Sequence, residues 1–134
     1  MKITFLGHAA FLLEADGQRV LIDPFLSGNP AASTSADDVA AETIILTHAH
    51  GDHVGDTVEI AKRTGATVIA TAELATWVGR QGVENTIGAN HGGTVAFAGG
   101  STKFVPAWHT SSFTTEDGFA APGVPAGHVV RFGG

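Results

Sequence analysis

The sequence contains no cysteine, so it has neither a disulfide framework nor a thiolate ligand for a metal. Basic residues are also few, with seven Lys and Arg against thirteen Asp and Glu, and they form no cluster. The formal charge of -6 therefore disfavours binding to a nucleic-acid backbone. No stretch approaches the roughly 18 apolar residues of a membrane span, and no signal-peptide cleavage pattern follows the N-terminal segment. These absences predict a soluble, cytoplasmic protein with no nucleic-acid or membrane partner.

The composition is that of one globular domain. The chain has 134 residues, of which 43% are hydrophobic and 15% charged, which is enough apolar surface for a core. Glycine is frequent, at 18 residues, and spread along the chain, which is typical of many short turns between strands. We find no internal repeat or domain boundary, and we predict a single domain over residues 1–134.

The hydrophobic pattern predicts a β-meander followed by alternating strands and helices. The Asp16-Gly17 pair is a strong hairpin signal, residues 24–40 have the composition of a long loop, and residues 109–127 also lack a periodic pattern. The predicted helices run from Val54 to a C-cap at Gly65 and over 71–82. The predicted strands cover 2–7, 10–15, 18–23, 43–47, 66–70 and 127–132, with a further hairpin over 92–108. This order implies an α+β fold with a mixed sheet and helices on one face.

The run "THAHGDH" places three histidines and an aspartate in six positions, directly after a buried strand. His48 and His50 are two residues apart, so both rings point the same way if the chain is extended there. Asp52 and His53 follow where the chain turns into a helix. Such crowding predicts a metal site, and imidazole with carboxylate suits Zn, Mn, Fe or Ni. His109, at the end of another predicted strand, is the candidate ligand from a distant part of the chain.

The pattern H-x-H-x-D-H after a hydrophobic strand resembles the signature of the metallo-β-lactamase superfamily. The segments "MKITFLGHAAFLLE", "VLIDPFLSGNP", "THAHGDHVGDTVEIAKRTGATVIA", "GVENT" and "VPAWHTSS" further resemble a family of small bacterial and archaeal metal-dependent hydrolases related to ascorbate-6-phosphate lactonase. The resemblance covers nearly the whole chain. It implies an αβ/βα sandwich, with two sheets face to face and helices on the outside.

The resemblance also implies residue roles. His48, His50 and His109 would hold one divalent metal ion, zinc first, and Asp52 with His53 would hold a second. A metal-bound hydroxide would be the nucleophile, and Asp52 would orient it or move its proton. Two further residues have competing interpretations. His8 is either a plain turn residue or a catalytic or substrate contact at the mouth of the site, and Asp23 either forms an Asx turn or, as we favour, supports the metal loop by hydrogen bonds.

The chain departs from the family pattern after His109. The family continues with a bridging aspartate and a late histidine, and neither Asp117 nor His128 fits those motifs. His128 stands in a predicted strand where an apolar or aromatic residue is expected. We therefore expect the chain to correspond to the N-terminal part of the fold, C-terminally incomplete or covered by homo-oligomerisation.

For the other aromatic, histidine and serine residues of interest we expect no direct role in the metal site. We expect Trp77 in the core, Trp108 beside the site, His91 in a surface turn, and Ser111 and Ser112 in a solvated loop. No G-x-S-x-G elbow, P-loop or dinucleotide fingerprint is present.

Three functions compete. The first is a metal-dependent hydrolase acting on a small ester, lactone or phosphoester-type substrate, with unknown substrate-binding residues. The second is a catalytically silent metal-binding half-domain acting through association. The third, a nuclease, is disfavoured by the negative charge.

Overall fold

The computed structural model describes residues 1–134 and contains eleven strands and three α-helices. A 3₁₀ turn at Ala36–Asp38 interrupts the long early loop. The helices are α1 (Gly51–Val54), α2 (Thr57–Thr64) and α3 (Ala72–Arg80). The strands are β1 (Lys2–Gly7), β2 (Ala10–Ala15), β3 (Gln18–Ile22), β4 (Thr43–Ile45), β5 (Thr67–Thr71), β6 (Thr86–Ala89), β7 (Thr94–Phe97), β8 (Gly100–Pro106), β9 (Phe113–Thr115), β10 (Gly118–Ala120) and β11 (Ala126–Phe132).

The main sheet has six strands in the order β1-β2-β3-β4-β5-β6. β1, β2 and β3 pair antiparallel, whereas β3, β4, β5 and β6 pair parallel. The predicted turn at Asp16-Gly17 is confirmed, since Ala15 pairs with Gln18 across it and both turn residues have positive φ. The mixed sheet predicted from the sequence is therefore present.

Three layers form the fold. Buried residues of α2 and α3 pack on one face of the main sheet, where Ile44 and Val68 belong to the larger core cluster. On the other face Ile45 and Ile69 pack with Phe104, which belongs to a second sheet of order β11-β8-β7. Successive residues of β4 and β5 thus face opposite layers, which explains why apolar residues follow one another directly in both strands. None of the three helices has the length and apolarity needed to cross a bilayer.

The helical region begins earlier than predicted and is divided in two. α1 ends at Val54 and is capped by Gly55, whose φ of 42° and ψ of -124° break the helix before α2 starts. Glycine is required there, because a Cβ would lie 2.5 Å from the Pro24 carbonyl oxygen. The Asp56 carboxylate next accepts hydrogen bonds from the backbone N–H groups of Leu26 and Ser27, each at 2.9 Å. These hydrogen bonds at the helix break hold the long early loop beside the histidine-rich segment.

Two predictions from the sequence were wrong because the responsible pairings are not visible in local patterns. β6 was missed because it joins the sheet through backbone pairing with β5 and through close packing of Gly88 on Ala72 of α3. Residues 109–127, predicted as loop, contain the β9–β10 hairpin. Its three-residue strands are too short to show an alternating pattern.

Candidate metal centre

The histidine-rich segment lies at the carboxyl end of the parallel strands, where open α/β sheets place their ligands. β4 ends at Ile45, residues 46–49 form an irregular connection with a bend at Thr47, and His50 is extended (φ -60°, ψ 143°) at the start of α1. His48 is buried and His50 half-buried. The short α1 then presents Asp52 and His53 on the adjoining turn. One strand-to-helix connection thus delivers all four side chains to one edge of the sheet.

His48, His50 and His109 form a first cluster. His48 Nε2 lies 3.0 Å from His50 Nδ1, and the His109 ring centre is 4.8 Å from that of His48 and 5.0 Å from that of His50. One ring nitrogen from each histidine falls within 4.8 Å of the other two. Three imidazoles converging from two segments are the donor set of a three-histidine zinc site with an open fourth position. The residues present therefore fit a divalent metal ion.

Asp52 and His53 form a second cluster together with His8. His8 Nε2 is 3.1 Å from Asp52 Oδ2, and the rings of His8 and His53 are 5.2 Å apart. Potential ligand atoms of the three residues again lie within 4.8 Å of one another. The His48 and His53 ring centres are only 4.0 Å apart, so the two clusters are adjacent. The structure thus brings together all five residues that the sequence singled out as ligands, and His8 with them.

Asp23 orients one histidine of each cluster by hydrogen bonds, His53 directly and His48 through Thr47. It is 2% exposed, and its Oδ2 accepts hydrogen bonds from the Thr47 hydroxyl at 2.6 Å and from His53 Nδ1 at 2.8 Å. Its Oδ1 accepts from the Thr47 backbone N–H at 2.9 Å. This geometry matches the carboxylate–histidine support that metal sites use to orient an imidazole. His53 Nε2 is left free on the side of the second cluster.

Thr47 and Thr110 also take part in the site, although neither was among the residues predicted from the sequence. Because the Thr47 hydroxyl donates to Asp23, it accepts from His48 Nδ1 at 2.8 Å, which leaves the lone pair of His48 Nε2 facing the first cluster. Thr110 Oγ1 lies 3.2 Å from His50 Nε2. The position of Thr47 directly before the motif was the only available signal, because its partner Asp23 is distant in sequence.

The buried His48 and the half-buried His53 have opposite pKa shifts. Burial lowers the pKa of His48 from 6.5 to about 4, and the neighbouring His53 adds to this effect. Burial also disfavours charge on His53, but the hydrogen bond and the negative charge of Asp23 outweigh it and raise the pKa of that residue. His48 is therefore neutral near pH 7, as a metal ligand must be.

Mild acid is expected to destabilise the metal-free protein. Between pH 6.5 and about 4 the unfolded chain protonates His48, whereas the folded chain excludes that proton. The free energy of unfolding therefore falls as pH falls through this window, by up to about 3 kcal/mol. His53 does not cancel the loss, because its raised pKa leaves it protonated in both states there. Urea unfolding of EDTA-treated protein at several pH values would measure the slope.

The matched variant for this pH dependence is His48→Gln, which cannot titrate. Its unfolding free energy should depend less on pH between 6.5 and 4 than that of the wild type. An equal slope in the two proteins would contradict the assignment to His48.

The other candidates lie away from the clusters. Asp117 is in the turn of the β9–β10 hairpin, and His91 Nε2 lies 2.8 Å from the Pro125 carbonyl oxygen. His128, in β11, donates from Nε2 to the Leu46 carbonyl oxygen at 3.1 Å, and its Nδ1 lies 3.0 Å from Thr102 Oγ1. His128 thus joins the second sheet to the strand end that carries His48, a polar role in a position predicted to be apolar.

The expectation of a solvated loop was wrong for Ser111. Ser111 is 7% exposed, and its hydroxyl oxygen accepts from the Ala49 backbone N–H at 3.1 Å, between the two histidines of the motif. The same loop holds His109 against the first cluster. Trp108 is fully exposed, whereas Trp77 packs half-buried against the core, as predicted.

Sequence and structure comparisons place the chain in a known class. The family model described as the metallo-β-lactamase superfamily matches residues 3–131, so the chain belongs to this superfamily. A UPF0173 metal-dependent hydrolase of Methanopyrus kandleri is 52% identical over 130 residues, covering 97% of this chain and 56% of that protein. One of Archaeoglobus fulgidus is 50% identical over 135 residues, covering 100% of this chain and 58% of that protein.

A solved structure agrees with this classification. Igni18, a metallo hydrolase from the archaeon Ignicoccus hospitalis, superposes with a TM-score of 0.82 at 34% identity, covering 98% of this chain and 56% of that one. The α+β sandwich predicted from the sequence is therefore confirmed. The chain spans a little over half the length of these relatives.

Proposed function

We propose that this chain carries the metal centre of a hydrolase that acts on a small ester, lactone or phosphoester-type substrate. The observation that carries the proposal is the convergence of His48, His50 and His109 beside Asp52 and His53, with the buried Asp23 behind them. One or two divalent ions, zinc first, suit these donors. The relatives named as metal-dependent hydrolases support the same reaction class.

The protein groups have separable tasks. A bound divalent ion would supply Lewis-acid activation of water near neutral pH. Thr47 and Asp23 hold the rings of His48 and His53 so that their free nitrogens face the site. Asp52 is half-exposed and close to the open side, where its carboxylate can orient the attacking water. Substrate binding therefore has to take place on the side where Asp52 and His50 are accessible.

A cleft on that side fits a small substrate. It has a volume of about 510 Å³ and its lining includes His50, Asp52, Ser112, Phe113, Thr114 and Phe119. Phe113 is fixed by its ring contact with Trp77 at 4.9 Å, whereas Phe119 is 80% exposed at the hairpin. The two phenyl rings give the cleft an apolar wall next to polar groups, which favours a substrate with an apolar portion beside its scissile bond.

Turnover on a substrate panel tests the proposal. Zinc-loaded and manganese-loaded protein would be assayed on esters, lactones and phosphoesters that carry either methyl or longer acyl and alkyl groups. We expect hydrolysis of at least one class, complete loss of turnover with EDTA, and recovery when the metal is returned. Metal binding without turnover on any of them would support a silent metal-binding module instead.

The same panel tests the cleft through Phe119→Ala. This variant removes exposed apolar surface without touching the clusters, so KM for longer apolar substrates should rise by about tenfold, while KM for methyl substrates stays the same. Thr115→Ala, at an exposed position of the same hairpin, is the control.

A further inference from the structure

His8 lies within the second cluster, beside Asp52 and His53. We propose that His8 is a direct ligand of a second divalent ion and that it completes a site with Asp52 and His53. Nε2 of His8 is already 3.1 Å from Asp52 Oδ2, and potential ligand atoms of the three residues lie within 4.8 Å of one another. Two imidazoles and one carboxylate form a donor set suited to Zn, Fe or Mn.

The backbone before and at His8 is built to hold the ring there. Gly7 has φ +112°, and a Cβ on it would lie 2.4 Å from the Ala31 carbonyl oxygen, so only glycine fits. His8 itself has φ 55°, a conformation that costs energy in a residue other than glycine. The β1–β2 register shifts between Phe5 and Gly7, which redirects the turn. The exposed Asp16 in the next hairpin has a similar φ of 50°, so it is the close approach of Gly7 to Ala31 that fixes where this turn places the His8 ring.

His53 is oriented so that its free nitrogen faces the second cluster. Asp23 binds Nδ1 of His53, so His53 offers Nε2 to the cluster. The rings of Phe25 and His8 are nearly perpendicular, with 5.9 Å between their centres. The His48 and His53 ring centres are 4.0 Å apart, so this second donor set directly adjoins the first cluster.

This inference rests on the proposed function only in that the first cluster must hold an ion. Metal content after equilibration with Zn²⁺, together with calorimetric titration, tests it without any substrate. The wild-type chain should bind two equivalents. The matched pair is His8→Gln and His8→Glu, which have similar length and the same backbone strain but differ in the ability to ligate.

His8→Gln should weaken the second equivalent by at least about 100-fold and leave the first unchanged, because loss of an outer partner alone costs 10–100-fold. His8→Glu should retain the second ion, because glutamate can also ligate a metal. If His8 acted only by pairing with Asp52, a glutamate at position 8 would instead repel the Asp52 carboxylate. His91→Gln, outside both clusters, should bind two ions. Far-UV circular dichroism would confirm that the variants are folded.

Two results would overturn the inference: a wild-type chain that binds one ion at saturating zinc, or a His8→Gln chain that binds two with wild-type affinity. In the second case, lost turnover would return His8 to a catalytic role. Two bound ions without turnover on any substrate would overturn the proposed function and leave the ligand assignment of His8 intact.

Discussion

His50→Ala is expected to abolish tight metal binding at the first cluster and to lower turnover by at least about 1000-fold, or about 4 kcal/mol of activation free energy. His50 Nδ1 lies 3.0 Å from His48 Nε2, and its ring also contacts His109, so its removal leaves two imidazoles without a third. Metal content by mass spectrometry and steady-state kinetics on the substrate identified in the panel would measure both effects.

The fold should survive this change, because His50 is only half-buried and follows the last core residue of the segment, Ala49. Urea unfolding of metal-free protein should therefore give a free energy close to that of the wild type. His91→Ala, which removes a histidine outside the clusters, should keep both metal and turnover. Wild-type turnover in His50→Ala would contradict the assigned centre.

Asp23→Ala is expected to produce the largest loss of stability, about 3–5 kcal/mol in the free energy of unfolding. The change leaves the Thr47 backbone N–H, the Thr47 hydroxyl and His53 Nδ1 without their acceptor in a place that is 2% exposed. Zinc affinity should fall by about 10–100-fold as well, because His53 loses its orienting partner. Urea unfolding of metal-free protein and calorimetric zinc titration would measure the two effects.

Two variants separate the hydrogen bonds of Asp23 from its backbone conformation. Asp23 has φ 42°, and the exposed Asp16 in the hairpin turn has φ 50°, so Asp16→Ala reports the cost of alanine at positive φ alone. That cost should be about 1 kcal/mol. Asp23→Asn keeps the shape of the side chain and one acceptor oxygen. Its loss of unfolding free energy should therefore lie between those of Asp16→Ala and Asp23→Ala. If Asp23→Ala costs no more than Asp16→Ala, the proposed support of the metal loop is wrong.

The regular elements were predictable where one local signal decides the structure. The Asp16-Gly17 turn sets the register of β2 and β3, and Gly65 ends α2, because backbone conformation at these positions depends on the residue itself. β6 and the β9–β10 hairpin were not predictable in this way. Their pairing depends on strands or helices supplied by other parts of the chain.

The residues of the candidate site likewise divide into those that could be predicted from the sequence and those that could not. Its histidines and Asp52 were recognisable because their spacing is itself unusual, and His109 was found because it follows a strand. Ser111 was misjudged, since its hydroxyl becomes buried only when the loop after β8 reaches the Ala49 backbone. Thr47 could be noticed only from its position directly before the motif, because its importance comes from an acceptor on a different strand end.

The sequence by itself determined the superfamily and the candidate donors, because metal chemistry requires particular side chains at short, fixed spacings and those spacings are written in the chain. Only the tertiary structure decided how the donors are grouped. Parallel pairing of β3 with β4 places Asp23 behind His53, and the strained turn after β1 brings His8 to Asp52. These contacts join residues 30 and 44 positions apart, whose proximity depends on sheet order and loop packing rather than on local pattern.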